Sequence, residues 1–319
     1  MNKRALGRTG IQIGTLVLGG NVFGWTADEK TSFAILDGFV AAGLNAVDTA
    51  DVYSAWAPGH QGGESEIVIG NWFKCSPGNR DKIVLITKVG AIAGSTKRDL
   101  SARRIAAAVE ASLKRLQTDH IDLYLSHWPD PDTLYEETLR AFEKLLQAGK
   151  VRAIGTSNLD AAQLSESLKM AKLHNLPRYE VLQPEYNLYE RGKFDGALRD
   201  IVIREEIGVI SYFALASGFL SGKYRSSDDF GKSPRGGGMA KYLNERGLRI
   251  LAALDHIAAD LGVQVATVAL AWVIAREGVT APIASATTLE QLESLVRATQ
   301  LTLSKEQIAL LDKASAVTP

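Results

Sequence analysis

A chain of 319 residues, 46% of them hydrophobic, is long enough for one large core or two ordinary ones. Its 36 basic and 36 acidic residues cancel, which excludes the electrostatic footprint of a nucleic-acid or anionic-membrane binder and leaves a small molecule as the default partner. The single cysteine, Cys75, excludes an intrachain disulfide and suits a reducing compartment. Cys75 lies in a stretch (72–77) that reads as a helix running into a loop, with no neighbouring motif to activate it as a nucleophile. The first ten residues carry no apolar core of a signal peptide, and every apolar run falls short of the roughly 18 residues a membrane span needs. The expectation is a cytoplasmic protein with no membrane and no nucleic-acid partner.

Along the chain, short β-branched runs alternate with amphipathic stretches. Runs at 14–19, 45–48 and 83–88 open the series, and 121–127 and 151–157 continue it. Runs at 179–184, 208–212 and 281–285 complete eight, each apolar almost throughout, as strands covered on both faces are. Between them, Leu36, Phe39 and Val40 share a helical face that Gly43 can close; Ser101 can cap a helix with the stripe Ile105, Val109, Leu113 and Leu116. Leu139, Phe142, Leu145 and Leu146 form a stripe stopped by Gly149, and Ser304 with Gln307 has capping-box spacing. Eight strands alternating with helices predict a parallel eight-stranded (β/α)8 TIM barrel, one domain over residues 1–319. The rival, a doubly wound sheet, lacks a Gly-x-Gly-x-x-Gly after its first strand. Residues 226–238, rich in Ser, Asp, Gly and Pro, read as a long mobile loop after the seventh strand, either a surface insertion or a flap over a ligand.

In such a barrel, chemistry sits at the C-terminal ends of the strands. The second run ends in Asp48, with Tyr53 five residues on; the third ends in Lys88 and the fourth in His127. Singly these are a turn cap, a packed ring, a solvated lysine and a structural histidine. Together they supply what carbonyl reduction needs. A phenol gives the proton, an ammonium lowers the phenol's pKa, a carboxylate holds the ammonium, and an imidazole polarises the carbonyl.

Residues 44–53, followed by Gly63-Glu64-Ser65-Glu66, resemble the aldo-keto reductase signature. So do Ile86-Thr87-Lys88-Val89, Leu123 to Pro129, Gly155-Thr156-Ser157-Asn158, Gln183 to Asn187, Gly218 to Tyr224 and Ala286 to Leu292, in order along essentially the whole chain. The resemblance implies Tyr53 as proton donor, Lys88 as its partner, Asp48 as the carboxylate paired with Lys88, and His127 as the carbonyl-orienting group. It implies that Ser157, Asn158 and Gln183 hold the nicotinamide carboxamide and that Tyr212 stacks on the ring. Ser217, Leu220, Ser221 and Lys223 lie in the segment that would strap the pyrophosphate, Ala214 and Leu215 would also meet the cofactor, and Gly20 would line the site. The implied cofactor is NADPH, with NADH the alternative. Hydroxyls of Ser285, Thr287 and Thr288, with Gln291, would hold its 2′-phosphate and Ala286 would also meet the cofactor, although the basic residue many relatives carry there is missing and Glu290 stands nearby. Arg225 or Arg235 would supply the charge by folding over the nucleotide.

Four aromatics on loops after strands, Phe23, Trp25, Trp56 and Trp128, are expected to wall a pocket for a small-molecule carbonyl substrate. No histidine pair has helical metal-ligand spacing, so no metal is expected. Two rivals stay open: Schiff-base chemistry at Lys88, and a cofactor-binding regulatory subunit such as a potassium channel beta subunit. An enzyme is the favoured reading because the sequence shows no added N-terminal extension.

Overall fold

The computed structural model describes residues 2–76 and 78–317. The chain opens with an antiparallel pair, β1 (Lys3–Ala5) and β2 (Gln12–Gly14). Parallel strands follow: β3 (Val17–Gly19), β4 (Ala46–Asp48), β5 (Val84–Val89), β6 (Ile121–Ser126), β7 (Val151–Ser157), β8 (Val181–Gln183), β9 (Gly208–Ser211) and β10 (Ala281–Ala284). Each pairs with the next and β10 returns to β3, closing an eight-stranded barrel. All eight runs read from the sequence are strands. The β1–β2 hairpin was not among them.

Helices α1 (Glu29–Ala41), α2 (Glu64–Cys75), α3 (Ala102–Leu116), α4 (Tyr135–Gln147), α5 (Ala161–Leu173) and α6 (Ala197–Arg204) follow successive strands from β3 to β8. After β9 come α7 (Glu245–Leu261) and α8 (Val265–Ile274), and after β10 come α9 (Leu289–Ala298) and α10 (Lys305–Ser315). The expected end signals operate: the Ser101 side chain accepts from Arg104 N, and Ser304 and Gln307 form a reciprocal capping box. Gly43 and Gly149 take positive φ just past α1 and α4.

Period-two alternation sorts most of the barrel-strand residues. Val17, Ala46, Val84, Ile86, Leu123, Leu125, Ala153, Val181, Ile210, Ala281 and Ile283 pack together inside the barrel. Leu18, Val47, Leu85, Tyr124, Ile154, Leu182 and Val209 pack outward in the larger core beneath the helices. Leu6, Ile11 and Ile13 of the hairpin region join the interior cluster and plug its N-terminal end. Counting two residues on from the interior positions places Asp48, Lys88, His127, Gln183 and Tyr212 in one layer on top of the apolar filling, and Ser157 stands four on from Ala153.

Residues 226–238 are not the structureless loop expected. Two 3-10 turns, Ser227–Lys232 and Gly236–Tyr242, order the segment; the first is held by a capping box between Ser226 and Asp229. The Tyr224 hydroxyl meets Ser233 Oγ at 2.5 Å, and Tyr242 stacks on Phe219 with ring centroids 5.2 Å apart. A Cβ on Gly236 would lie 1.7 Å from the Phe230 carbonyl oxygen, so only glycine allows the two turns to close on each other. Among the described residues no single helix is long and apolar enough to cross a membrane.

Candidate active site

Asp48 and Lys88 are both buried, and Lys88 Nζ donates to Asp48 Oδ2 at 2.7 Å. The same nitrogen donates to Thr49 O at 2.7 Å and to the Tyr53 hydroxyl at 2.8 Å. Three donors meet three acceptors, the full capacity of an ammonium. This argues against Lys88 as a Schiff-base nucleophile, which needs a free lone pair. Burial lowers the Lys88 pKa, while Asp48, with Asp51 and Glu66, pulls it back up.

The phenol behaves differently from the sequence expectation. Burial, and then the Asp48 carboxylate, push Tyr53 well above the ordinary tyrosine range instead of below it. Tyr53 is therefore a neutral phenol that keeps its proton, with Asp48 Oδ2 3.2 Å from its oxygen. His127 is pushed well below the ordinary histidine range by burial, then by Lys88 and Arg98. Its Nδ1 is buried with no partner among the described residues. A neutral imidazole can donate to a carbonyl oxygen without releasing a proton of its own.

A hydrogen-bonded chain runs from this cluster around the barrel mouth. Gln183 Nε2 donates to Asp48 Oδ1 at 2.8 Å, and Ser157 Oγ donates to Gln183 O at 2.8 Å. Asn158 Nδ2 donates to Ser157 Oγ and to His127 O, and the Tyr212 hydroxyl donates to Asn158 Oδ1 at 2.7 Å. Asn158 takes a left-handed φ of 66°, which asparagine tolerates better than most residues.

Beyond Tyr212, Ala216 (φ 47°), Ser217 (φ 57°) and Gly218 (φ 102°) are consecutively left-handed, a strained run in which only the last is glycine. Within it the Ala216 N–H donates to Phe213 O at 2.7 Å and the Gly218 N–H to Leu215 O at 2.9 Å. A Cβ on Gly218 would lie 3.4 Å from Lys223 Nζ, so an ammonium stands beside the run. That ammonium suits a pyrophosphate oxygen, and the polar side chains of Ser157, Asn158 and Gln183 suit a carboxamide. Ala214, Leu220 and Ala286 are buried apolar residues, leaving only their backbones for a ligand, and Leu215 is partly buried. Ser221 Oγ is spent on Gly218 O. Gly20 is likewise committed: its N–H bonds Asp48 O, and its carbonyl accepts from Ser65 Oγ.

Several expected residues stand elsewhere. Phe23 is fully buried in the outer core, so it walls no pocket. Arg225 is fixed by two 2.7 Å bonds to Asp255, and Arg235 lies over the Trp25 ring. At the start of α9, Thr287 N and Oγ1 both donate to Gln291 Oε1, and Thr288 caps the helix. Trp25, Trp56 and Trp128 do gather at the mouth, Trp56 half-exposed and 5.9 Å from the Tyr53 ring.

The sequence reading missed the support beneath the cluster. Ser65 receives a bond from Thr49 Oγ1, and Glu66, fully buried, accepts from Thr87 Oγ1 and from Arg115. Glu64 accepts from the Gln61 and Gly62 N–H groups. The Glu-Ser-Glu triplet thus braces the loop that carries Tyr53, and its spacing after Asp48 was the available signal. Asp51, also missed, is buried beside a cavity of about 480 Å³ that Gln61, Arg104 and Arg115 also line. Its Oδ1 has no partner among the described residues, and Arg104 meets Oδ2 at 3.3 Å. Burial, then Glu66, raise Asp51 to about 7.

Because native Asp51 holds its proton up to about 7, against 3.8 for the free side chain, the native state binds more protons between those values. Its contribution to stability therefore falls as pH rises from about 4 to 7. Asp51→Asn, the neutral isostere, should melt near wild type at pH 5 and a few degrees above it at pH 8. A lower melting temperature than wild type at pH 8 would contradict this sign.

Comparison with known proteins places these features in context. The aldo/keto reductase family model matches residues 11–316. The chain is 36% identical to the uncharacterized oxidoreductase YrpG of Bacillus subtilis, over 96% of this chain and 94% of that one. It is 33% identical to the aldo-keto reductase YhdN of the same organism, over 96% and 91% of the two chains. It is 32% identical to a probable voltage-gated potassium channel subunit beta of Arabidopsis thaliana, over 93% and 91%.

Proposed function

The chain belongs to the aldo/keto reductase family, and from that premise we propose that it reduces an aldehyde or ketone to an alcohol with NADPH. The observation that carries the reading is the neutral, partly buried Tyr53 phenol hydrogen-bonded to the Lys88 ammonium at the barrel mouth. Ser157, Asn158 and Gln183 would hold the carboxamide and Tyr212 the ring face. Lys223, beside the 216–218 segment, would hold the pyrophosphate. The bound nicotinamide supplies the hydride.

The protein's own groups then manage charge on oxygen. His127 would donate to the substrate carbonyl oxygen and fix its position. As hydride arrives at the carbon, negative charge grows on that oxygen and Tyr53 gives it its proton. The phenolate left behind keeps the Lys88 N–H bond at 2.8 Å, and water restores the proton. The rise in the Tyr53 pKa keeps the proton in place until an oxyanion of higher basicity forms. Asp48 would keep the ammonium charged despite its burial.

A second reading, a cofactor-binding regulatory subunit, is supported by the likeness to the plant channel subunit. Turnover of a reactive aldehyde separates the two.

Tyr53→Phe keeps the ring and removes the proton, so turnover should fall by about two orders of magnitude or more with cofactor affinity little changed. Retention of a tenth of wild-type turnover would assign the proton to another group. Fluorescence titration should give a smaller dissociation constant for NADPH than for NADH, through hydroxyls and the α9 N-terminus. The margin should stay within about tenfold, since Arg225 is held by Asp255 and no ionic clamp of the stronger kind is placed there. Equal or tighter NADH binding would mean that Thr287 and Gln291 meet a plain ribose.

A further inference from the structure

Both substrate-facing candidates are backed by a tryptophan that ends at an arginine. Trp56 lies against Tyr53, Trp25 meets Trp56 edge to face at 5.6 Å, and Arg235 Cζ sits 5.5 Å from the Trp25 ring centroid. Across the mouth, Trp128 stacks on His127 with centroids 6.3 Å apart, and Arg98 Cζ lies 5.3 Å above Trp128.

The two arginines are not equally free. Arg98 spends Nη1 on the Ser95 and Lys97 carbonyls. The Arg235 guanidinium makes no hydrogen bond and no ion pair with any described residue, although it is largely withdrawn from water and burial lowers its pKa. The groups it interacts with electrostatically are the hydroxyls of Tyr224 and Tyr53, so its charge is felt at the phenol. The Asp48 carboxylate nearby is already matched by Lys88. The mouth thus carries unpaired positive charge on a guanidinium that lies over the Trp25 ring and whose N–H groups have no hydrogen-bond partner among the described residues. Guanidinium N–H groups can hold a carboxylate or phosphate in a two-point grip.

We propose that the site prefers carbonyl substrates bearing an anionic group, carboxylate or phosphate, which Arg235 grips while the carbonyl meets Tyr53 and His127. The proposal rests on the carbonyl-reductase reading and adds the substrate class to it. It also accounts for the order in residues 226–238, whose two 3-10 turns present Arg235 across the mouth to Trp25.

The test compares matched pairs. For wild type, kcat/KM is measured for 4-carboxybenzaldehyde against its methyl ester, and for glyceraldehyde 3-phosphate against glyceraldehyde. The anionic member of at least one pair should win by about tenfold or more, the scale of a charged hydrogen-bonded contact. The pair showing the larger ratio tells carboxylate from phosphate. Arg235→Gln should bring that ratio towards one, while Arg235→Lys, which keeps charge but loses the flat fork, should retain part of it. Calorimetric binding of 4-(hydroxymethyl)benzoate and the neutral 4-(hydroxymethyl)benzamide to the cofactor-loaded protein gives a readout free of turnover. The benzoate should bind wild type the more tightly and lose that advantage in Arg235→Gln. Equal ratios in wild type, or ratios unmoved by Arg235→Gln, overturn the proposal. Absence of turnover on every aldehyde, with the benzoate advantage intact and lost in Arg235→Gln, would sink the reductase reading and leave the anion site standing.

Discussion

Everything at the barrel mouth depends on keeping one ion pair out of water. Lys88 and Asp48 are each essentially inaccessible, and desolvating two such charges costs several kcal/mol apiece before their attraction and hydrogen bonds are counted. The arrangement survives because every polar valence is met. Asp48 accepts from Gln183 on one oxygen and from Lys88 on the other, while Lys88 divides its remaining donors between Thr49 O and the Tyr53 hydroxyl. Placing Tyr53 in that set is what gives the ion pair chemical reach, since its third contact ends on a titratable oxygen facing the mouth.

The geometry follows from alternation rather than from loop design. Ile86 lies inside the barrel, so Lys88 does too; Ala46 implies Asp48, and Leu125 implies His127. One layer below is apolar filling that cannot solvate a charge, which is why the layer above must satisfy itself. The Tyr53 loop is then pinned from behind by Ser65 and Glu66 through Thr49 and Thr87, residues that face outward on their strands. Rigid strands set the ion pair, and helix α2 sets the phenol.

The barrel was legible because near-continuous apolar runs repeat eight times, and end signals such as Ser101, Gly43 and Ser304 act locally. Three polar strand-end residues, Asp48, Lys88 and His127, were legible for the same reason, as polar breaks in apolar runs. What escaped was decided by distant contacts. The β1–β2 strands are three residues each and read as nothing in isolation. Residues 226–238 have loop composition, yet Tyr224, Gly236 and Tyr242 order them through partners the local pattern does not show. Phe23 sits among loop residues but its ring enters the outer core. The pKa of Tyr53 was misjudged in sign because adjacency to Lys88 was weighed without burial or the Asp48 carboxylate. Either Arg225 or Arg235 was expected to supply charge at the nucleotide; Arg225 pairs with Asp255, and Arg235 lies over Trp25.

The central claim is that the Lys88 ammonium acts through the Tyr53 oxygen. It is tested most directly by the pH dependence of kcat/KM for Lys88→Met against wild type between pH 6 and 9, with cofactor affinity and melting temperature as controls for folding. The account predicts a loss of about a hundredfold or more near neutral pH and a changed profile, with the cofactor still bound. A variant that folds, binds cofactor and keeps the wild-type profile at similar rate would contradict it.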